Sequence, residues 1–580
     1  MIKTFVKCIR EYKTPTLLTL CFIILEVFLE VLIPTRTADL VNAIKAGEAM
    51  SSVWKMGLIL VVMALLSLCC GGGAGFLGAK ASAGFAKNVR GDVFRRIQRF
   101  SFENIDKFST ASLVTRLTTD ITNVQMAFMM TIRAAVRAPL MFVFSIIMAW
   151  RMGGSLAAAF LVIVPVLIVG LLLIARKAMP AFHAVFRKYD RMNESVEENV
   201  RGMRVVKGFA REDYEKVKFS VASQDIAKDF TRAERIVALN NPLMTLCMNF
   251  NMVFVLLVGA KLIVSNRGQT IDVGQISAML TYGMQILMSL MMISMIYVMM
   301  TISWESMKRV SEVLREEPSL HNPPEPVTEV ADGSIDFKDV SFKYSVTAEK
   351  NALEGINLHI PSGSTVGILG GTGSSKTTLI QLIPRLYDVS EGCVRVGGVD
   401  VRDYDLDTLR SAVSVVLQKN QLFSGTIREN LRWGNPEASD EELEEACRLA
   451  QADEFIRSFP EGYDTHIEQG GTNVSGGQKQ RLCIARALLK KPKVLILDDS
   501  TSAVDTRTDA LIRKGFREYI PETTKIIIAQ RVASVEEADL ILVMDNGRIV
   551  DRGSHAELLR SSEIYREIYQ QQTKGGEEDE

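Results

Sequence analysis

Two stretches of this chain carry residue types suited to binding a polyphosphate together with its metal ion. The first is a glycine-rich run, Gly370-Gly371-Thr372-Gly373-Ser374-Ser375-Lys376-Thr377-Thr378. In such a run backbone N–H groups converge on phosphate oxygens, Lys376 reaches the terminal phosphates and the Thr377 hydroxyl can hold Mg²⁺. The second is Val494–Asp498, four apolar residues ending in a carboxylate, which is typical of a buried parallel strand that delivers an acid to such a site. Together the two stretches predict a site for ATP and Mg²⁺.

One position in the glycine-rich run departs from the usual pattern. Ser375 precedes the lysine, where a glycine is expected. If the backbone there has a positive φ, serine costs about 1–2 kcal/mol. The loop should still bind phosphate, because Lys376 lies at the start of the following helix.

The elements that position this site lie in the second half of the chain, because long apolar runs fill the first half. At 580 residues the chain is too long for one soluble core, and at least two domains are expected. Leu17–Pro34 carries only two charges, and four further runs contain no Asp, Glu, Lys or Arg: Met56–Ala79, Met152–Ala175, Ile236–Ala260 and Val273–Trp304. About 20 apolar helical residues cross the hydrocarbon of a bilayer. The sequence therefore predicts a multi-pass membrane protein.

Six membrane crossings are predicted if Met126–Trp150 is the third, despite Arg133 and Arg137 within it. Arg151–Gly154 then makes a tight turn into the fourth crossing. The connections alternate between short ones, at 46–53, 151–154 and 265–272, and long basic ones, at 80–120 and 176–235. The positive-inside rule places the long connections, both termini and the second half of the chain in the cytoplasm.

The net charge and the cysteine spacing argue against two further kinds of protein, nucleic-acid binders and metal-binding proteins. The chain carries 67 basic and 67 acidic residues, a balance that argues against nucleic-acid binding driven by overall charge. The eight cysteines show no metal-ligand spacing, and reduced thiols facing the cytosol are the simpler interpretation. Met1–Lys13 mixes basic and apolar residues, which fits either a helix lying on the inner membrane face or a frayed tail.

The second half of the chain reads as an α/β domain. A proline-rich linker covers Ser319–Gly333, and the predicted strands are Val366–Gly370, Val413–Gln418, Val494–Asp498 and Ile526–Ala529. A hairpin over Leu542–Val550 turns at Asn546-Gly547. The expected organisation is a six-helix transmembrane domain over 1–318, a linker over 319–333, a P-loop ATPase domain over 334–574 and a disordered acidic tail over 575–580.

With these motifs in place, the whole chain resembles a multidrug-type (type IV) ABC exporter half-transporter. Ser475-Gly476-Gly477-Gln478 is similar to the signature motif of ABC cassettes, with Val474 before it in place of the common leucine. The resemblance implies that Tyr344 stacks on adenine, that Gln418 contacts Mg²⁺, and that Asp498 is the acid on the metal side. It also implies that Asp505, in Ser502-Ala503-Val504-Asp505, belongs to a loop crossing a dimer interface.

Two positions depart from that family's pattern. Asp499 stands where a catalytic glutamate is usual, and Gln530 stands where a histidine is usual. Aspartate is shorter by roughly 1 Å, and a misplacement of that size can cost ~10²-fold in rate. Glutamine can donate a hydrogen bond but cannot become cationic. Together the two changes predict a degenerate catalytic site, one that binds ATP but hydrolyses it poorly.

In this family two cassettes enclose two ATP molecules, each between one chain's phosphate loop and the other chain's signature. An altered catalytic pair beside an intact signature resembles the degenerate subunit of a heterodimeric bacterial exporter. Its partner would be a second half-transporter carrying glutamate and histidine. Two alternatives stay open: a homodimer that hydrolyses ATP slowly through Asp499, and a regulatory or channel-like membrane module that binds ATP without pumping.

The transmembrane half offers two candidate groups of substrate-contacting residues. Methionines recur at intervals of three and four along the sixth helix, at Met284, Met288, Met291, Met295 and Met299. Thioether side chains repack easily and suit small apolar or amphipathic substrates such as drugs or lipids, although ordinary helix packing explains such a stripe equally well. Glu26 and Glu30 lie one turn apart in the first helix, where they contact a cationic substrate, pair with an arginine or face a wet cavity. Arg133 and Arg137 are expected to snorkel near the inner boundary.

Two short helices that couple the domains are expected midway through the long connections. The candidates are Thr110–Thr115 and Val200–Val206. The resemblance implies that the second docks on the partner's cassette.

Overall fold

The computed structural model describes residues 1–265, 271–345, 348–500 and 503–577. The chain forms two compact units. The N-terminal unit consists of Met1–Gln98 and Thr110–Glu316, and the C-terminal unit consists of Arg99–Ser109 and Glu317–Glu580.

The N-terminal unit is entirely helical in its described residues. Its six long helices are α2 (Lys13–Ala46), α3 (Met50–Ile97), α6 (Ile121–Gly153), α7 (Ala158–Arg201), α10 (Asn240–Ser265) and α11 (Val273–Arg315). Its other helices are α1 (Ile2–Lys7), α5 (Thr110–Thr115), α8 (Met203–Gly208) and α9 (Glu212–Val237), while α4 (Phe102–Lys107) falls in the other unit. Helices satisfy every backbone group internally, which is what a segment in hydrocarbon requires.

The long helices match the six predicted crossings. The described residues contain five continuous helical stretches long and apolar enough to span a membrane, and one of these, Thr110–Phe182, includes both α6 and the start of α7. The break between α6 and α7 is the predicted tight turn, where Gly154 has a φ of +49°. Helix α3 has 48 residues, far more than a bilayer needs, so part of it extends beyond the membrane.

The N-terminal segment is packed rather than frayed. Phe5 and Cys8 are buried, and the side chain of Asn88 on α3 donates to the Cys8 carbonyl over 3.0 Å. Arg10 pairs with Asp92 of α3 at 2.9 Å. Helix α1 is therefore attached to α3.

The C-terminal unit is built on a six-stranded sheet with the strand order β12-β11-β3-β10-β9-β6. Its strands are β3 (Thr365–Gly370), β6 (Val413–Val416), β9 (Val494–Asp498), β10 (Thr524–Ile528), β11 (Leu540–Asp545) and β12 (Arg548–Gly553). Only β11 and β12 pair antiparallel within it, through the predicted hairpin with Asn546 and Gly547 at positive φ. A second, antiparallel sheet, in the order β2-β1-β4-β5, comprises β1 (Ile335–Phe342), β2 (Leu353–Ile360), β4 (Glu391–Val396) and β5 (Val399–Asp400).

The central strands of the six-stranded sheet are buried along their whole length, since β9 and β10 have no exposed residue. Helices therefore cover this sheet. They are α12 (Lys376–Gln381), α13 (Leu406–Ala412), α14 (Ile427–Arg432), α15 (Asp440–Leu449), α16 (Asp453–Ser458), α17 (Gly476–Leu488), α18 (Thr506–Tyr519), α19 (His555–Ser561) and α20 (Glu563–Glu577). A two-stranded sheet of β7 (Gly425–Thr426) and β8 (His466–Ile467) completes the unit. Strands β3, β10, β9 and β6 run parallel, so their carboxyl ends share one edge, where α/β sheets bind ligands.

The C-terminal unit includes one segment from the first half of the chain. Helix α4 is capped by Ser101, and its Asp106 accepts a hydrogen bond from the Tyr387 hydroxyl over 2.6 Å. The rings of Phe102 and Tyr387 meet edge to face at 6.0 Å. This helix precedes Thr110–Thr115, the segment predicted as the first coupling helix, which is helical but belongs to the N-terminal unit. The second candidate, Val200–Val206, overlaps α8 but begins three residues too early.

The tail differs from its prediction in part. Helix α20 continues to Glu577, so it includes Gly575, the first residue assigned to an acidic tail. A helix with one buried face extends beyond its last packed side chain because each added turn costs little once the helix is nucleated. The remainder of the tail, 578–580, lies outside the described residues.

Candidate functional site

The phosphate loop connects β3 to α12 at the carboxyl edge of the parallel sheet. Gly370 ends β3 with a φ of +154°, and Lys376 begins α12. Ser375 has a φ of +70° and a ψ of +25°, so the strained conformation considered from the sequence is present. Ser374 is buried and donates to the Gly371 carbonyl over 2.9 Å. The loop thus holds its curvature without the usual glycine.

The inside of this loop fits a phosphate group. The Lys376 ammonium donates to the carbonyls of Gly370 and Gly371, each over 2.8 Å, so its charge lies across the loop. A Cβ atom built on Gly371 or Gly373 would meet no other atom within 4 Å, so there is room beside both residues for phosphate oxygens. Burial lowers the pKa of Lys376, and an anionic ligand would reverse that effect. Thr372 is exposed at the tip of the same loop.

Asp498 and Thr377 form the part of the site that fits a magnesium ion. The Thr377 hydroxyl lies 3.0 Å from Asp498 Oδ2, at the end of β9. Burial raises the pKa of the Asp498 carboxyl, while the bond from Thr377 opposes that shift. A hydroxyl and a carboxylate are oxygen ligands of the kind Mg²⁺ prefers, and the ion would supply charge that favours the ionised acid.

Asp499 is held between two amide side chains. Its Oδ2 accepts a hydrogen bond from Gln530 Nε2 over 2.8 Å and lies 3.4 Å from Gln418 Nε2. Its backbone has a φ of +49°, and its N–H donates to the Ile528 carbonyl over 3.0 Å. The structure therefore brings the two altered catalytic positions and the predicted metal-side glutamine into one group.

Tyr344 lies next to the phosphate-loop helix. Its hydroxyl is 2.8 Å from that of Thr378, and its ring meets Tyr387 edge to face at 5.3 Å. The residue is 46% exposed, which leaves ring surface for stacking. This position is compatible with the adenine contact that the family resemblance implies.

The signature residues lie at the start of helix α17. Ser475 caps this helix: its hydroxyl accepts from the N–H of Gln478, whose side chain accepts from the N–H of Ser475 over 2.9 Å. Gly476 and Gly477 pack against the 503–505 loop, and a Cβ at Gly477 would lie 2.8 Å from the Ala503 carbonyl. Asp505 caps α18 through the N–H of Thr508. Ser502 lies outside the described residues.

The membrane carboxylates are not at the ATP site but form an ion-pair group within the N-terminal unit. Arg137 of α6 contacts Glu30 of α2 at 2.7 Å and Glu26 at 3.6 Å. Of the three alternatives left open by the sequence, arginine pairing is the one observed. The expectation that Arg137 snorkels is wrong, because its guanidinium turns to these carboxylates; Arg133 packs beside Gly78 of α3.

The methionine stripe lies on an uncovered face of α11 in the single chain. Met284, Met288, Met291 and Met295 are all exposed, with Met288 at 61%. Met279, one turn before the stripe, is fully buried against Gly153 instead. Met299, at the end of the stripe, is only partly exposed, and the other four are not explained by packing within this chain.

Sequence reasoning missed two residues of interest. Arg137 is expected from sequence to lie at the membrane interface, although a cation in one apolar helix and two carboxylates in another are the signal for an intramembrane pair. Gln572 on α20, which bonds to the backbone beside Gln530, carried no signal at all, because a polar residue near a C-terminus is unremarkable in sequence.

Comparison with known proteins agrees with this architecture. Residues 16–309 match the family described as the ABC transporter transmembrane region, and residues 353–502 match the ABC transporter family. An uncharacterized ABC transporter ATP-binding protein of Bacillus subtilis, YfiB, is 34% identical over 564 residues, which cover 97% of each chain. A fatty acid ABC transporter ATP-binding/permease protein of Mycobacterium bovis is 35% identical over 477 residues, covering 82% of this chain and 75% of that protein.

A solved structure shows the same fold. A bacterial Atm1-family ABC exporter with ATP bound aligns at a TM-score of 0.83 and 24% identity, covering 97% of this chain and 98% of the other. This chain thus contains both a transmembrane region and an ATP-binding region of ABC transporters, and it aligns with relatives over nearly its whole length. The protein belongs to the ABC transporter family, as a membrane ATPase that joins a transmembrane region to an ATP-binding domain in one chain.

Proposed function

We propose that this chain is the degenerate-site subunit of a heterodimeric ATP-driven exporter. The observation that carries the proposal is the state of Asp499, whose carboxylate accepts a hydrogen bond from Gln530 over 2.8 Å. A general base must direct a lone pair at the attacking water, and here the Gln530 amide already engages a lone pair of the Asp499 carboxylate. The ATP site of this chain would retain nucleotide and hydrolyse it slowly.

The signature supports the second half of the proposal. Ser475 and the N-terminus of the 13-residue helix α17 present donors that suit a γ-phosphate. By the family resemblance, that phosphate is held by the partner chain. Lys376, Thr377 and Asp498 would hold ATP and Mg²⁺ on this chain's own side. The nucleotide held by the partner would supply the reacting phosphate, and Ser475 would complete the hydrolytic site of that partner, which carries glutamate and histidine.

Exposed methionines favour a small apolar or amphipathic substrate. The stripe on α11 offers a polarizable surface that adapts to different ligands. The fatty acid transporter among the relatives supports lipid-like compounds within that class. A cationic substrate bound by Glu26 and Glu30 is less favoured, because Arg137 already contacts both carboxylates. We also propose that the termini and the ATP-binding domain lie in the cytoplasm, which the basic character of the long connections supports.

Purified alone in lipid nanodiscs, the chain should bind ATP with Mg²⁺ yet turn it over about 10²-fold more slowly than a complex with a partner that carries glutamate and histidine. The test compares phosphate release by the two samples, with Lys376→Ala as the control for nucleotide binding at this chain's site. Turnover by the isolated chain as fast as that of the complex, and abolished by Asp499→Asn, would show that Asp499 is an adequate base in a homodimer and would contradict the heterodimer. Failure of every apolar substrate to stimulate ATPase in vesicles would favour a regulatory or channel-like module.

A further inference from the structure

The C-terminal helix α20 is fixed to the ATP-binding unit by one of its faces. Tyr565 is fully buried, and its hydroxyl lies 2.7 Å from Nδ1 of His555. Ile568 and Tyr569 pack against the same apolar core, which also contains Val532. Positions 565, 568, 569 and 572 fall on one side of an α-helix, so this anchored face leads directly to Gln572.

Gln572 makes two hydrogen bonds to the loop that carries Gln530. Its Nε2 donates to the Gln530 carbonyl over 2.8 Å, and its Oε1 accepts from the Val532 N–H over 2.8 Å. The planar amide of Gln572 thus binds both the carbonyl of Gln530 and the N–H of Val532, two residues further along the chain. Two bonds from a single rigid group fix orientation as well as position.

We propose that Gln572 is a positioning residue that holds the Gln530 loop so that the Gln530 side chain reaches Asp499. The path is short: Gln572 fixes the backbone at residues 530–532, and Gln530 Nε2 then lies 2.8 Å from Asp499 Oδ2. Displacements of about 1 Å at such a position change rates by up to ~10²-fold. The C-terminal helix is therefore part of the catalytic architecture of this chain.

This inference deepens the proposed function where it concerns turnover, but the loop contact itself holds whichever chain hydrolyses ATP. A test of the contact therefore needs a measurement that does not depend on hydrolysis. Hydrogen exchange at the Val532 amide provides one, because that N–H donates directly to Gln572.

The chain offers a matched control on the neighbouring residue. Gln571 is also exposed on α20, and its Nε2 lies 3.5 Å from Glu567 Oε1 of the same helix. Gln572→Leu removes both loop bonds at similar volume, whereas Gln571→Leu removes only a contact within the helix. Gln572→Glu retains the acceptor for Val532 and loses the donor for Gln530.

The experiment uses the full-length chain in nanodiscs and all three variants, with thermal unfolding to confirm that each is folded. Exchange at Val532 should rise about tenfold in Gln572→Leu and stay unchanged in Gln571→Leu. In Gln572→Glu the ATP turnover number should change severalfold while KM stays constant, because Tyr344 and the phosphate loop are untouched. Equal exchange in Gln572→Leu and Gln571→Leu would overturn the proposal, and so would an unaltered turnover number in Gln572→Glu. Rapid turnover by the unmodified chain would instead contradict the proposed function, in which this chain's site retains ATP, and would leave the role of Gln572 standing.

Discussion

At the scale of single residues, the altered catalytic pair is better understood as a pair than as two separate losses. A histidine at position 530 could become cationic and stabilise charge on phosphate, whereas Gln530 uses its amide to bind Asp499 over 2.8 Å. Glutamine and the shortened acid thus satisfy each other. A single reversion would leave the other residue without its present partner.

The double change Asp499→Glu with Gln530→His should therefore raise hydrolysis at this chain's own site by about 10²-fold, more than either change alone. Glutamate restores reach to the attacking water, and histidine supplies a donor that can carry charge. Single-turnover phosphate release, with ATP limiting and the partner complex assembled, measures the effect. Adding Lys376→Ala should remove the gain, and an unchanged rate in the double variant would place the defect elsewhere, for example at Ser375.

The buried acid Asp498 should cost stability when no metal is bound. Burial raises its folded-state pKa above the unfolded value, so the folded chain binds the proton more tightly. Stability is then highest below the unfolded pKa, falls as pH rises through the folded pKa, and stays reduced at neutral pH. Asp498→Asn should raise the Tm of the nucleotide-free chain at pH 7 and lessen the loss between acid and neutral pH.

The same substitution should weaken the response to ligand, because an amide is a poor Mg²⁺ ligand. Saturating Mg²⁺ and ATP stabilise a chain by about 2.7 kcal/mol at 100 times Kd, and most of that gain should disappear in Asp498→Asn. Thermal unfolding with and without nucleotide, at two pH values, measures both effects. A lower Tm without nucleotide would show that the Thr377 bond outweighs the cost of burial.

Sequence could anticipate some of this residue-level detail and not the rest. The positive φ of Ser375 was foreseeable, because glycine at that position signals a backbone requirement. The bond between Asp499 and Gln530 was not, since it depends on how β9 and β10 end side by side in register. The partner of Glu30 was undecided for the same reason, because Arg137 comes from a helix more than 100 residues away in the chain.

At the scale of elements, prediction succeeded where one pattern dominates a segment. Strands β3, β9 and β10 each contain a run of buried apolar residues, and the sequence located each of them, although β10 begins at Thr524 rather than Ile526. The membrane helices were located equally well. Helix α4 was missed because six residues show no usable periodicity, and only its contact with Tyr387 distinguishes it from other basic connections.

The methionine stripe makes the sharpest prediction for an element. Replacing Met288, Met291 and Met295 together with leucine keeps volume similar, so folding should survive at a cost below about 1.5 kcal/mol for each change. Transport of bulky apolar substrates should fall several-fold while small ones are exported as before, because leucine repacks less readily than methionine. Uptake into inverted vesicles with a graded set of substrates measures this.

Buried Met279 on the same helix provides the control for that series. Met279→Leu changes a fully packed side chain beside Gly153 and should lower the Tm without changing the order of substrate preference. If the triple variant exports every substrate like the unmodified complex, the exposed methionines only contact another chain or lipid.

At the scale of the whole molecule, the proposed function makes this chain one side of a site shared with a partner. The phosphate loop and the signature helix α17 lie on the same unit, yet Ser475 bonds only within its own helix cap among the contacts described. A helix N-terminus with an exposed hydroxyl suits an anion supplied from outside the chain. The proposed function assigns that anion to ATP on the partner.

In the proposed function this chain's own site retains ATP and the partner's site hydrolyses it. The last prediction concerns which of two substitutions, Ser475→Arg or Lys376→Ala, reduces the ATPase activity more. Ser475→Arg should abolish the ATPase of the assembled complex, although this chain's phosphate loop is unaltered, because it blocks the partner's γ-phosphate. Lys376→Ala should reduce turnover less, because it weakens ATP binding at this chain's own site, which in the proposed function retains ATP and hydrolyses it slowly. Ser439→Arg is the matched control, because Ser439 makes the same capping box on α15 and its loss costs helix stability alone, about 1 kcal/mol. Steady-state ATPase of the three complexes measures the order, and greater damage from Lys376→Ala than from Ser475→Arg would mean that this chain's own site carries the hydrolysis.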